Sequence, residues 1–234
     1  TLSQVVAGDA GLVKAGAGVL TLNAANTYAG GTTVNAGTVA LGSQASLGTG
    51  AVTLKAGTTL DTAASLTNTI QLTGDGNSST TTDTVNLVVA QGQNSTLSQV
   101  VAGDAGLVKA GAGTLTLNAA NSYKGGTIIN AGTVVLGQQA SLGSGAVTLQ
   151  KETTLETAAN LDNTIQLTGD GDSNTTIDTV NLVVAQGQSS TLSKAVTGDA
   201  GLIKSGTGTL TLDAANTYTG GTTVSAGTVI LGSQ

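Results

Sequence analysis

The chain has 234 residues and a net charge of −6, with seven Lys and no Arg, His or Cys. That excludes a Ser-His-Asp triad, a Cys-His pair and a His/Cys zinc site. It also argues against nucleic acid or an anionic membrane surface as partner, because neutralising phosphates takes clustered Lys and Arg. With no Phe, Trp, Met or Pro, and only Tyr28, Tyr123 and Tyr218 as aromatics, a core must be made of Val, Leu, Ile and Ala. Side chains of that size fill a narrow bore rather than a wide globule.

Residues 1–6, TLSQVV, are read as one alternating strand. Gly8-Asp9-Ala10-Gly11 is a turn, and residues 12–14 form a short strand that ends at Gly16 and Gly18. Gly16-Ala17-Gly18 opens no helix, so it is a turn and not a phosphate loop. The LTL of residues 20–22 is a strand, followed by an Asn23-Ala24-Ala25-Asn26 bend, Tyr28 and a Gly30-Gly31 turn. Short β-branched strands follow at 32–34 and 38–41, then a glycine-bounded loop, 42–50, with Leu47 as its inward anchor. Residues 51–54, 58–61 and 69–72 read as strands, and 62–65 could pass for a helical turn. Residues 74–83, GDGNSSTTTD, are the most polar stretch, and 84–90 close the pattern with Val85, Leu87 and Val89 inward. Leu20, Leu22, Val34, Val39, Leu41, Val52 and Leu54 are also expected to point inward.

The whole pattern then returns. Residues 16–38 (GAGVLTLNAANTYAGGTTVNAGT) recur as 111–133 and 206–228, each time 95 residues on. A fixed long period of this kind marks a repeat architecture. The units are 1–95, 96–190 and a partial third, 191–234, and the first two differ at 18 of 95 positions. Strand, bend, strand, turn and strand within about 25 residues describe one winding of an all-β solenoid, so a unit should hold a whole number of windings, four or five. With no Pro or Ser-rich hinge between units, the reading is one continuous rod. Because the sequence stops 44 residues into the third unit, it also reads as a fragment of a larger protein. No apolar run approaches the roughly 20 residues that span a bilayer.

The pattern G-x-G-x-L-T-L-x-x-A-N-T-Y-x-G-G-T-T-V-x-A-G-T is carried by Gly16, Gly18, Leu20, Thr21, Leu22, Ala25, Asn26, Thr27, Tyr28, Gly30, Gly31, Thr32, Thr33, Val34, Ala36, Gly37 and Thr38. It resembles the passenger-associated repeat of bacterial autotransporter adhesins, and covers somewhat under half of each unit. The resemblance implies a right-handed parallel β-helix on the surface of a Gram-negative cell, exported through a C-terminal outer-membrane barrel. Residues 61–95 do not match the motif, and their fold rests on strand pattern alone.

Candidate chemistry is sparse. Asp61 and Glu156 hold equivalent positions a unit apart and cannot form the paired carboxylates of glycoside hydrolysis. Asp75, Asp83, Asp170, Asp172 and Asp178, with Asn77, Ser173 and Asn174, could offer oxygen ligands to calcium, but they match no EF-hand. The alternative is a solvated turn in which Asp and Asn cap their own backbone. Asn23 and Asn26 are expected to bond the backbone at a corner, and Tyr28 to cover a local gap. No catalytic, cofactor or metal residue is assigned. The expected function is a structural stalk of a cell-surface adhesin, with host-cell or bacterial surface molecules, or other copies of the rod, as partners. The alternatives are a surface-recognition solenoid for ice or glycan, for which Thr114, Thr116, Thr209 and Thr211 supply T-x-T pairs, or a polysaccharide-cleaving enzyme.

Overall fold

The structure, a computed structural model, describes residues 1–75, 83–171 and 178–232. Every strand pair in it is parallel, and no helix occurs among the described residues. The chain winds about ten times as a β-solenoid. Its side one carries β1 (Leu12–Lys14), β3 (Thr32–Val34), β5 (Val52–Lys55), β7 (Ile70–Thr73) and β10 (Val101–Gly103). Side two carries β2 (Val19–Leu22), β4 (Thr38–Leu41), β6 (Thr59–Thr62), β8 (Thr84–Val88), β11 (Gly106–Ala110), β13 (Thr127–Ile129), β15 (Val147–Gln150), β17 (Ile165–Thr168) and β20 (Val196–Gly198). Side three carries β9 (Asn94–Leu97), β12 (Thr114–Leu117), β14 (Thr133–Leu136), β16 (Thr154–Thr157), β18 (Thr179–Val183), β21 (Gly201–Ser205) and β23 (Thr222–Val224). A last sheet holds β19 (Ser189–Leu192), β22 (Thr209–Leu212) and β24 (Thr228–Leu231).

That last sheet is side one resumed. Above β10 the column continues through loop backbone: Ser122 N–H donates to Val101 O (2.9 Å), and Ser144 N–H to Tyr123 O (3.0 Å). The Asn163 side chain then donates to Gly143 O and Gly145 O, at 3.1 and 2.8 Å. Leu161 bridges Leu192 of β19. Side three begins in the same way, below β9. Thr27 N–H donates to Val6 O (3.0 Å) and Thr49 N–H to Tyr28 O (2.9 Å). Asn68 reaches Gly48 O at 3.2 Å, and Leu66 bridges Leu97. The solenoid is therefore three-sided. In each unit two sides are stacked strands and the third is a column of loops.

The register shows that a unit is not a whole number of windings, contrary to the expectation from its length. On side one Leu12 pairs with Thr32, Thr32 with Val52, Val52 with Ile70, and Ile70 with Val101. Four windings thus end at Val101. Leu107, the copy of Leu12, lies six residues further on and pairs with Val85 on side two. Leu202, the next copy, pairs with Val180 on side three. Ninety-five residues therefore make four windings and a third.

The bore is filled as the alternation requires. Leu22, Val34, Val39, Leu41, Leu47, Val52, Leu54, Val85, Leu87 and Val89 are all buried, as are Leu115 and Leu117 one unit on. Leu20 is only partly buried, because it lies in the first winding and little packs beneath it. The single strand expected at 1–6 is corrected. Its copy in the second unit breaks at Ser98–Val100 into β9 and β10, which lie on two sides, so the chain turns a corner there. In the first unit, with no winding below to pair with, only a bridge from Leu2 to Leu22 remains. Residues 62–65 are strand end and bend, not helix.

Candidate functional site

The loop column is held by one device used repeatedly. Asn26 is buried, its Oδ1 accepting Val6 N–H at 2.9 Å and its Nδ2 donating to Ser46 O at 2.8 Å, so one amide clamps the windings above and below. Asn121 does the same with Val101 and Ser141. Beside it Tyr28 is 2% exposed. Its hydroxyl lies 2.6 Å from that of Thr32, which donates to Leu47 O at 3.1 Å, so the phenol must be the donor. Burial raises the Tyr28 pKa, and Tyr123 is raised by the same cause. Gly48, at φ +69°, lies flat on the Tyr28 ring, and a methyl there would come within 2.6 Å of Cδ2. These Asn and Tyr residues are spent on the fold, leaving no aromatic stripe for a ligand.

The acidic residues of the polar loop also bond the backbone. Asp83 Oδ2 accepts Asp75 N–H, and Asp104 Oδ1 accepts Gly74 N–H from the winding below, both at 2.8 Å. Asp178 and Asp199 repeat this with Asp170 and Gly169. The Gly74 bond is the main reason that the Asp104 pKa lies below the usual carboxylate value. Asn77, Asp172, Ser173 and Asn174 lie outside the described residues. Among the described residues no group of three or more His, Cys, Asp or Glu is placed to hold a metal ion.

The second unit adds a cation here. Lys151 pairs with Asp170 and, at 3.5 Å, with Asp178, where the first unit has Ala56. Its neighbour Glu152 is forced to φ 60°, a conformation that Gly57 occupies freely in the first unit. A side chain in the left-handed region is strained. Glu152→Gly is therefore expected to stabilise the rod by about 0.5–1 kcal/mol, after allowing for the looser unfolded chain, and urea midpoints of the two proteins would show it.

A buried lysine is the feature that sequence reading missed. Lys109 is fully buried in an inward register column between Leu87 and Ile129. Among the described residues no carboxylate pairs with it. Its ammonium donates to three carbonyls, Ala110 O (3.0 Å), Gly111 O (2.7 Å) and Ala131 O (3.0 Å), and so ties the turn of its own winding to that of the next. Lys14 and Lys204 are bonded alike, Lys14 to Ala15, Gly16 and Ala36, and Lys204 to Ser205, Gly206 and Ala226. Burial pushes the Lys109 pKa down to about 8 and lowers that of Lys204. Below pH 8 folded and unfolded chains both carry the charge. From about pH 8 to 10.5 the unfolded chain holds a proton that the folded one has shed, so stability rises with pH. Above about pH 10 the unfolded tyrosines ionise while Tyr28 and Tyr123 resist, and stability falls. Melting followed from pH 6 to 11 is expected to peak at about pH 9–10; a curve flat from pH 7 to 10 would contradict the lysine shift.

Asp61 and Glu156 stand on different sides of the prism, on β6 and β16, and form no pair. T-x-T occurs on β12 and β22. The threonines of β12 continue into neighbouring windings as Thr133 and Thr154, but Val135 and Glu156 break the second rank.

A parallel solenoid that spends its Asn, Tyr and Lys on joining one winding to the next belongs to the repeat proteins. The sequence profile of the passenger-associated-transport-repeat family matches residues 12–41, 107–136 and 202–231, in each unit the run from the first strand on one side through a winding and a half. The adhesin autotransporter BmaC of Brucella suis biovar 1 (strain 1330) is 34% identical over 243 residues, covering 94% of the chain and 7% of that protein. No solved structure matches the chain. The chain thus carries three copies of the passenger-associated-transport repeat and is similar along most of its length to a short stretch of an autotransporter adhesin.

Proposed function

We propose that the chain is a structural stalk, a rigid length of a surface adhesin that holds a binding region away from a Gram-negative cell. The observation that carries this is that strand pairing runs unbroken from one unit into the next, as in β7 to β10 and β8 to β11. Its buried polar groups face neighbouring windings rather than a cleft. The similarity to an adhesin passenger supports the setting. On this reading the chain performs no catalysis and needs no metal or cofactor. Its parent contacts host-cell or bacterial surface molecules, and parallel rods add weak lateral contacts whose sum favours cell aggregation or biofilm.

Deleting residues 96–190 tests the spacer role, because the junction of Ser95 with Thr191 reproduces a unit boundary already present. Stability per winding should hardly change, since each winding touches only its neighbours. At about 4.8 Å per winding the particle should shorten by roughly 21 Å, measurable by small-angle scattering. Ligand binding by the purified parent should persist while cell-to-cell capture weakens. Loss of binding in solution would place a ligand site within the deleted unit and end the spacer reading.

A further inference from the structure

We infer that the array is a three-fold screw: each added unit turns everything beyond it by one third of a revolution, and a given feature returns to the same side of the rod only at every third unit. The register of the three copies of one residue carries this. Leu12 lies on side one, Leu107 on side two and Leu202 on side three. The loop column moves with it, from side three in the first unit to side one in the second and side two in the third. Thr27 N–H bonds Val6 O, Ser122 N–H bonds Val101 O and Thr217 N–H bonds Val196 O, the same contact made on three sides in turn. The last sheet, β19-β22-β24, stacks on the loops of side one, which closes the count at three.

The shift arises in one winding. Successive partners on side one are close to 20 residues apart until Ile70, whose partner is Val101. That longer winding holds the polar loop and adds β8 and β9, so all three sides carry a strand before β10 completes the circuit. The copied sequence begins again a side later.

Two consequences for interaction follow. A flat partner, whether a cell surface or a neighbouring rod, that reads one unit's loop column meets one unit in three, at a spacing of roughly 62 Å along the rod. A change in copy number re-aims whatever lies beyond: one unit more or fewer turns it a third of the way round, and three restore its aim. Length and direction are therefore coupled, and only additions in threes change reach alone.

The chain has no Cys, so pairs of labels can be placed freely. Thr27, Ser122 and Thr217 are exposed equivalents on the loop column. Spin labels would be attached to the T27C/S122C, S122C/T217C and T27C/T217C variants of the full chain, and distances read by pulsed electron resonance. The first two distances should agree. The third should be about 1.7 times as long, for a rod about two sheet spacings wide. A ratio of two would put the three labels on one line along one side and overturn the screw. Thermal melting of each variant checks that the labels leave the rod folded.

Discussion

Gly103→Ala is expected to remove about 4 kcal/mol or more of stability, or to prevent recovery of a folded rod, while Gly8→Ala costs about 1 kcal/mol. The two glycines sit in the same sequence, VVAGDAGL, at the same φ of +123°. Backbone strain on adding a methyl is therefore equal, and the difference between them measures the approach of one winding to another. Beneath Gly103 the carbonyl oxygen of Leu72 would lie 1.9 Å from the new carbon, whereas nothing lies within 4 Å at Gly8. That oxygen cannot simply withdraw, because it already accepts the Asp104 and Ala105 N–H groups, at 3.0 and 3.3 Å. Chemical denaturation of the two variants side by side is the measurement. Equal losses would mean that the windings do not touch here.

Leu117→Asp is the second large effect. Leu117 is fully buried, stacked between Leu97 and Leu136 in an inward column. A carboxylate there loses the leucine's packing and meets no cation, so about 4 kcal/mol or more should be lost. On the same strand the side chain of Thr116 faces outward, and Thr116→Asp should cost within about 1 kcal/mol, the range of strand propensity at a half-buried surface. The contrast between adjacent positions tests the alternation itself. Wild-type melting by Leu117→Asp would refute the inward assignment.

Much of this architecture is legible in the residues. The 95-residue period, the alternation of Leu and Val and the shortage of aromatics together define a narrow all-β coil, and Leu47 is recognisable as an anchor because glycines bracket it. The third of a winding is not legible. Winding length is set by which backbone groups pair, and Ile70 skips to Val101 across a polar loop that carries no periodic signal. The cage around Lys109 escapes for a related reason. A lysine ordinarily carries its charge out to water along an apolar stem. The three carbonyls that hold this one come from two windings and converge only once those are stacked. Alternation does hold the clue, since Leu107 and Lys109 share a phase. The corner at Ser98–Val100 does leave a trace, since the polar pair Ser98-Gln99 and the apolar pair Val100-Val101 interrupt the alternation where the chain leaves one side for the next.

The spacing between partners has a mechanical meaning. Every described strand bonds to one a single winding away, so load applied at the two ends passes through windings in series. Pulled hard, such a rod gives way at an end and peels. Each ordinary winding released frees about 20 residues, roughly 70 Å of slack, and the long winding frees roughly 100 Å. A surface filament held at one end and tugged at the other would thus dissipate a jerk in small steps. It would lengthen several-fold before the covalent chain bore the strain, and the released turns could rewind on the intact winding beneath.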